Sequence, residues 1–224
     1  MAPIRAQYRS LLFDLDGTLA ETDSLHLPTW VEVLALHGIE VTEEFYRENI
    51  SGRSNVEIVR DLLPELSEEE GRCVFESKEA AFREKAVDLK PLPGLLDFLE
   101  LGRRLGLAIA LVTNAPRENT EAVLLALKLD RHFDLVVLSD DVGAVKPDPA
   151  PYRAALERLD VRPGEALAFE DSISGIASAV GAGIPTIGIA STQEPAKLLE
   201  AGAFTTALDF ADPHLQTIVS GQAT

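Results

Sequence analysis

Short runs of β-branched and other apolar residues recur along the chain at Ser10 to Asp14, Leu107 to Thr113, Leu135 to Leu138, Ala166 to Glu170 and Thr186 to Ile189. They are too continuously apolar for strands with one wet face. Each therefore predicts a strand buried on both sides, the way parallel strands under helices read. Between them the period becomes helical at Leu95 to Leu105, Thr120 to Leu127, Tyr152 to Leu159 and Ile176 to Ala182, with Pro93-Gly94, Gly106 and Gly183 as punctuation. This alternation predicts an α/β fold, a doubly wound parallel sheet with helices on both faces.

Residues 22–91 break the alternation. Only helical periodicity occurs there, with start signals at Thr42 and at Ser67, the latter followed by Glu70 at capping-box spacing. The expected organisation is an α/β catalytic core from residues 1–21 and 92–224, with a small all-helical cap domain, a mobile lid, inserted over 22–91. Linkers are expected near Glu21 to Ser24 and Lys90 to Gly94. Between residues 40 and 88 stand 14 acids and 7 bases, read as a solvated helical face.

Charge narrows the partners. With 20 Lys+Arg against 37 Asp+Glu in 224 residues the formal charge is −17, which repels nucleic acid and anionic lipid. No apolar run approaches the roughly 18 residues of a membrane-spanning helix. The opening segment has its apolar stretch cut by Asp14 and Asp16, so it does not read as a secretory signal. A single Cys73 makes neither an internal disulfide nor a thiolate metal cage and reads as a small cap residue without chemistry. A cytoplasmic protein, monomeric or a weak homodimer, without nucleic-acid or membrane partners, is the expectation.

The chemistry concentrates where strands end. Ser10-Leu11-Leu12-Phe13 runs into Asp14-Leu15-Asp16-Gly17-Thr18, Ala110-Leu111-Val112 into Thr113-Asn114, and Leu167-Ala168-Phe169 into Glu170-Asp171. Ligands of open α/β sheets bind beyond the carboxyl ends of the strands, so these groups are expected to share one crevice. Four carboxylates gathered there resist joint ionisation unless a cation neutralises them. All-oxygen ligands, without Cys or nearby His, point to a hard ion, Mg²⁺ before Ca²⁺, with positions left for water and a phosphate oxygen.

In this order Asp14-Leu15-Asp16-Gly17-Thr18, Thr113-Asn114, Lys146-Pro147 and Glu170-Asp171 resemble the four signature motifs of the haloacid dehalogenase (HAD) superfamily. The helical block is similar to the cap that one subclass inserts between the first two motifs, and within it the chain is most similar to the β-phosphoglucomutase and phosphoglycolate phosphatase group. The resemblance implies that Asp14 is the nucleophile forming an aspartyl-phosphate. It implies that Asp16 is the general acid and then the general base, with its main-chain carbonyl on Mg²⁺. Glu170 and Asp171 complete the implied metal set. Thr113 and Asn114, with backbone amides following Asp14 around Gly17, are implied to hold the phosphoryl oxygens, and Lys146 to balance charge.

Substrate choice falls to the cap and its linkers. Thr22, His26 and Trp30 stand at spacings similar to the mutase hinge, although an apolar helix face also packs a His and a Trp for structure. Gly52-Arg53-Ser54-Asn55 resembles the cap loop that contacts substrate, but Asn55 stands where mutases place an Arg suited to a second phosphate. Arg53 offers a substitute, Lys78 aligns with a cap Lys that reaches substrate, and Arg117 stands where it would face the leaving group; each also reads as an exposed residue. Asp140 and Asp141 carry no assignment, and Ser172 and Ser174 read as N-caps of the helix through Ile176. The expected function is a Mg²⁺-dependent phosphatase of a small phosphorylated metabolite, a sugar phosphate foremost, with a phosphosugar mutase as the alternative. A dehalogenase would need neither Asp16 nor the metal acids, and a non-catalytic phosphate-binding module would lack the acid Asp16.

Overall fold

The computed structural model describes residues 8–51 and 53–221. The first seven residues, part of the segment read for a secretory leader, and Gly52 of the cap loop lie outside them. The chain divides into two compact units, Met1–Glu21 with Lys90–Thr224, and Thr22–Leu89.

The first unit opens with β1 (Ser10–Phe13). The second follows, entirely helical among the described residues, with α1 (Asp23–Ala35), α2 (Glu43–Asn49), α3 (Asn55–Leu62), α4 (Glu68–Lys85) and a closing 3₁₀ turn. Its helix starts are set by side chains. Thr42 accepts from Phe45 N–H, and Ser67 with Glu70 forms a full capping box. A second box, Ser54 with Glu57, was equally readable from its spacing. Trp30, Leu34, Tyr46, Ile58 and Leu63 make this unit's own apolar core, and α4 packs along α1 and α3.

The chain then returns through α5 (Leu95–Arg104), β2 (Ala108–Thr113), α6 (Arg117–Ala126), β3 (Leu135–Leu138), α7 (Ser139–Val142), α8 (Ala150–Leu159), β4 (Ala166–Glu170), α9 (Ile173–Gly181), β5 (Thr186–Ile189), α10 (Pro195–Glu200), β6 (Thr205–Ala207) and α11 (Pro213–Ser220). All six strands are parallel in the order β3-β2-β1-β4-β5-β6. The expected doubly wound α/β sheet is present. β6 and the elements α7, α10 and α11 were not read from the sequence, because each is too short to display a period.

The two sheet faces bury different chemistry. On one, small Ala110, Ala166 and Ala168 leave room for Tyr152, Leu156 and Val137. On the other, Phe13, Phe98, Phe169 and Phe210 form an aromatic cluster in which Phe13 stacks on Phe169 at 4.8 Å between centroids. Phe13, the last residue of β1, sits in register with Leu111 and Phe169, so β2 runs on to Thr113 and β4 to Glu170 beside Asp14. The strand order reverses between β1 and β4, which makes their carboxyl ends the place where a doubly wound sheet opens a crevice. No described helix is long and apolar enough to cross a membrane.

Candidate active site

Beyond those strand ends, Asp14, Glu170 and Asp171 are all buried and each offers a carboxylate oxygen within 4.8 Å of the others. The expectation of four clustered acids is corrected to three. Asp16 lies one turn further on, where Gly17 N–H donates to Ala20 O, and its side chain is not in the trio. It is close enough for its charge to act on Asp14 and Asp171.

Lys146, from the loop between α7 and α8, is the counter-charge. Its side chain is 3% exposed, and its three N–H donors are all used: Nζ donates to Asp14 Oδ1 at 2.6 Å, Glu170 Oε1 at 2.6 Å and Val112 O at 2.7 Å. An exposed loop lysine it is not. Burial alone would depress its pKa, but Asp14 and Glu170 more than offset this and raise it above the usual lysine value. Burial pushes Asp14 up to about 7 despite Lys146, with Glu170 and Asp16 adding like charge. Asp171 is raised well above the ordinary carboxylate range by burial, then by Asp14 and Glu170. Three acids thus face one base. The oxygen-only donor set and its unbalanced charge fit a hard divalent cation.

The backbone is shaped around this trio. Gly17 has φ +75°, and a Cβ there would sit 2.0 Å from Asp171 Oδ2. A Cβ on Gly175 would sit 1.8 Å from Glu170 Oε2. Thr192, past the end of β5, donates through its hydroxyl to Asp171 Oδ2, and neighbouring Ser191 donates to Gly17 O. Sequence reading missed both, although the strand-end rule that found the acids also points to them. Tyr152, read only as the start of a helix, donates its hydroxyl to Glu170 Oε1 at 2.7 Å. Burial, with Glu170 next, pushes its pKa well above the ordinary tyrosine value.

Other expected site residues are placed differently from one another. Thr113 is buried at the end of β2, its Oγ1 accepting from Ala115 N–H at 3.0 Å. The Asn114 amide is turned to the neighbouring loop: its Oδ1 accepts from Lys146 N–H at 3.0 Å and from the Ser139 hydroxyl, so in this structure it braces the Lys146 loop. Arg117 donates from Nη2 to both carboxylate oxygens of Asp141 at 2.8 Å on the surface. Ser172 caps α9 by accepting from Gly175 N–H, whereas Ser174 is inside the first turn and caps nothing, a correction that follows from α9 starting at Ile173. Cys73 is exposed on α4.

In the helical unit a second buried constellation forms. Thr22 is buried at the N-cap of α1 without a side-chain cap bond. Lys78, 2% exposed, has Nζ at 2.8 Å from both His26 Nδ1 and Glu79 Oε1, and 5.4 Å from the Trp30 ring centroid. His26 stacks on Phe82 at 4.2 Å between centroids. Burial would raise the Glu79 pKa, but Lys78 more than offsets it and holds the carboxyl below its usual value. Asn55 Nδ2 donates to Glu79 Oε1 at 2.5 Å, and Arg53 pairs with Asp61 and donates to Asn49 O. Asn55 and Arg53 thus both have partners within this unit.

Comparison with known proteins agrees with the geometry. The model of the family described as haloacid dehalogenase-like hydrolase matches residues 11–189. A phosphorylated carbohydrates phosphatase of Thermotoga maritima is 34% identical over 200 residues, 87% of this chain and 91% of the relative. The fructose-1-phosphate phosphatase YqaB of Escherichia coli is 30% identical over 188 residues, covering 82% of this chain and 97% of the relative. Among solved structures, CbbY from Rhodobacter sphaeroides in complex with phosphate superimposes with a TM-score of 0.80 at 30% identity, over 92% of this chain and 96% of that one.

Proposed function

We propose that this chain, which belongs to the haloacid dehalogenase-like hydrolase family, is a Mg²⁺-dependent phosphatase of a small phosphorylated metabolite, a sugar phosphate foremost. The observation that carries the reading is the buried array at the ends of β1 and β4, in which Lys146 bridges Asp14 and Glu170 beside Asp171.

Asp14 attacks phosphorus through the oxygen that Lys146 does not hold. The phosphorus–oxygen bond to the alcohol breaks, and Asp16 gives the leaving oxygen its proton. In the second half, Asp16 takes a proton from water as that water attacks the aspartyl-phosphate, so phosphate leaves and Asp14 is regenerated. Thr113 and the amides beyond Asp14 bind the phosphoryl oxygens, and Lys146 supplies fixed positive charge without reorganising. A magnesium ion held by Asp14, Asp171, the Asp16 carbonyl and Glu170, the last directly or through water, would supply the charge that keeps the acids ionised and offsets the phosphate.

We place the choice of leaving group in the helical unit, with Lys78, His26 and Thr22 as its polar contacts. Hydrolysis is preferred to a mutase because Asn55 is a neutral amide bonded to Glu79 and Arg53 is paired with Asp61, which leaves neither as a guanidinium aimed at a second phosphate. The test is a panel of phosphorylated metabolites incubated with purified protein and Mg²⁺. Phosphate release that disappears in Asp14→Asn is expected. Conversion of β-glucose 1-phosphate to glucose 6-phosphate without net phosphate release, given a bisphosphate activator, would overturn the phosphatase in favour of the mutase.

A further inference from the structure

We propose that Tyr152 is a positioning residue of the active site: its hydroxyl fixes the Glu170 carboxylate and, through it, the direction in which Lys146 presents its charge to Asp14. This rests on the phosphatase reading of the same site and deepens it.

The placement argues against a packing role alone. Tyr152 is fully buried on the face of the sheet lined by Leu12, Ala110, Val112 and Ala168, all apolar. A phenyl ring fills such a space as well, whereas a hydroxyl is costly there unless it finds an acceptor. The Tyr152 hydroxyl finds one acceptor, Glu170 Oε1, at 2.7 Å. That same oxygen receives Lys146 Nζ at 2.6 Å, and the ammonium lies 5.2 Å from the Tyr152 ring centroid. Tyrosine therefore contacts both members of the pair, one by its ring and one by its hydroxyl.

The constraint is closed from the other side by Gly175, where even a methyl would overlap Glu170 Oε2. Two donors on Oε1, with the Ser172 hydroxyl at 3.4 Å and the start of α9 against Oε2, hold the carboxylate from both sides. Asp148 helps hold the ring in place: its side chain accepts from Ala150 N–H at 2.8 Å and its carbonyl accepts from the Ser178 hydroxyl at 2.6 Å, which ties the start of α8 to α9. Without the hydroxyl, Glu170 Oε1 keeps Lys146 as its donor and loses the second donor that fixes its direction, so the carboxylate opposite Asp14 is held less firmly.

Tyr152→Phe tests this, because it keeps the ring and removes one hydrogen bond. Three quantities are read: Mg²⁺ affinity by calorimetry without substrate, kcat and KM on the best substrate, and thermal stability. The expected result is a loss of about 10- to 100-fold in Mg²⁺ affinity or kcat, with KM for substrate nearly unchanged. In a Glu170→Gln background the same substitution should have little further effect, since the two groups act as one unit.

A variant with parent-like Mg²⁺ affinity and kcat overturns the proposal, as does one that only lowers the melting temperature equally in both backgrounds. Failure of the phosphatase reading shows separately, as a parent that binds Mg²⁺ but turns over no phosphoester; Tyr152 is then judged on Mg²⁺ affinity alone.

Discussion

Replacing Lys146 by methionine removes the one cation inside a cluster of three buried acids while keeping most of its volume. The ammonium forms three hydrogen bonds of 2.6 to 2.7 Å at 3% side-chain exposure, so solvent cannot take its place. Removing one partner of a buried ion pair costs about 3–5 kcal/mol, because the remaining charge is left without compensation. For a chain of this length each kcal/mol lowers the melting temperature by about 2–4 °C, so the metal-free variant should melt roughly 10 °C below its parent at neutral pH. The carboxylates then escape by protonating. The pKa values of Asp14 and Asp171, already raised in the folded state, rise further above the unfolded ones, so the lost stability returns as pH is lowered and disappears again as pH rises through the new folded values. Thermal melts of parent and Lys146→Met at pH 5 and pH 7.5, without divalent ions, measure both effects. A variant as stable as its parent at pH 7.5, or a deficit that does not shrink at pH 5, would refute the ion-pair argument.

Other outcomes follow from the same geometry. Gly17→Ala places a methyl on Asp171 and at a positive φ, so it should abolish Mg²⁺ binding in calorimetry and lower the melting temperature. In the metal-free parent, Asp14 titrates near 7 against its ordinary 3.8, so folding binds extra protons between those values. Stability should then fall by up to about 4 kcal/mol as pH rises through that interval, and added Mg²⁺ should reduce the fall, both read by chemical denaturation. Glu79→Gln withdraws the buried anion beside Lys78 and should lower stability while raising KM for a sugar phosphate more than it changes kcat. Asn55→Arg meets the same Glu79 and should pair with it; product analysis is expected to show phosphate and no isomerised sugar, and a rise in isomerised product would count against that assignment.

The sheet was legible because its strands are buried on both faces and therefore continuously apolar; the runs ending at Asp14, Thr113 and Glu170 lie within a residue of the observed strands. The acids were legible from their position at those ends, and Lys146 from the motif it shares with them. What escaped is long-range and short-element structure. β6 has three residues, too few for a pattern. Asn114 sits at a strand end as expected, but only the fold reveals that its amide is taken up by Lys146 N–H and Ser139. Tyr152 looks like any aromatic on a helix face until the loop ahead of α8 brings its hydroxyl to Glu170. Lys78 was found by alignment with a motif, yet its seat among His26, Glu79 and Trp30 joins positions far apart along the chain.

The central place of β1 between β2 and β4 has a consequence for the newly made protein. Asp14 is separated from its partner Lys146 by 132 residues, and Asp171 lies further still along the chain. A nascent or truncated polypeptide carrying only the early segments holds an isolated aspartate with no catalytic surroundings. Formation of the buried Lys146–Asp14 pair therefore reports that the sheet has closed around β1.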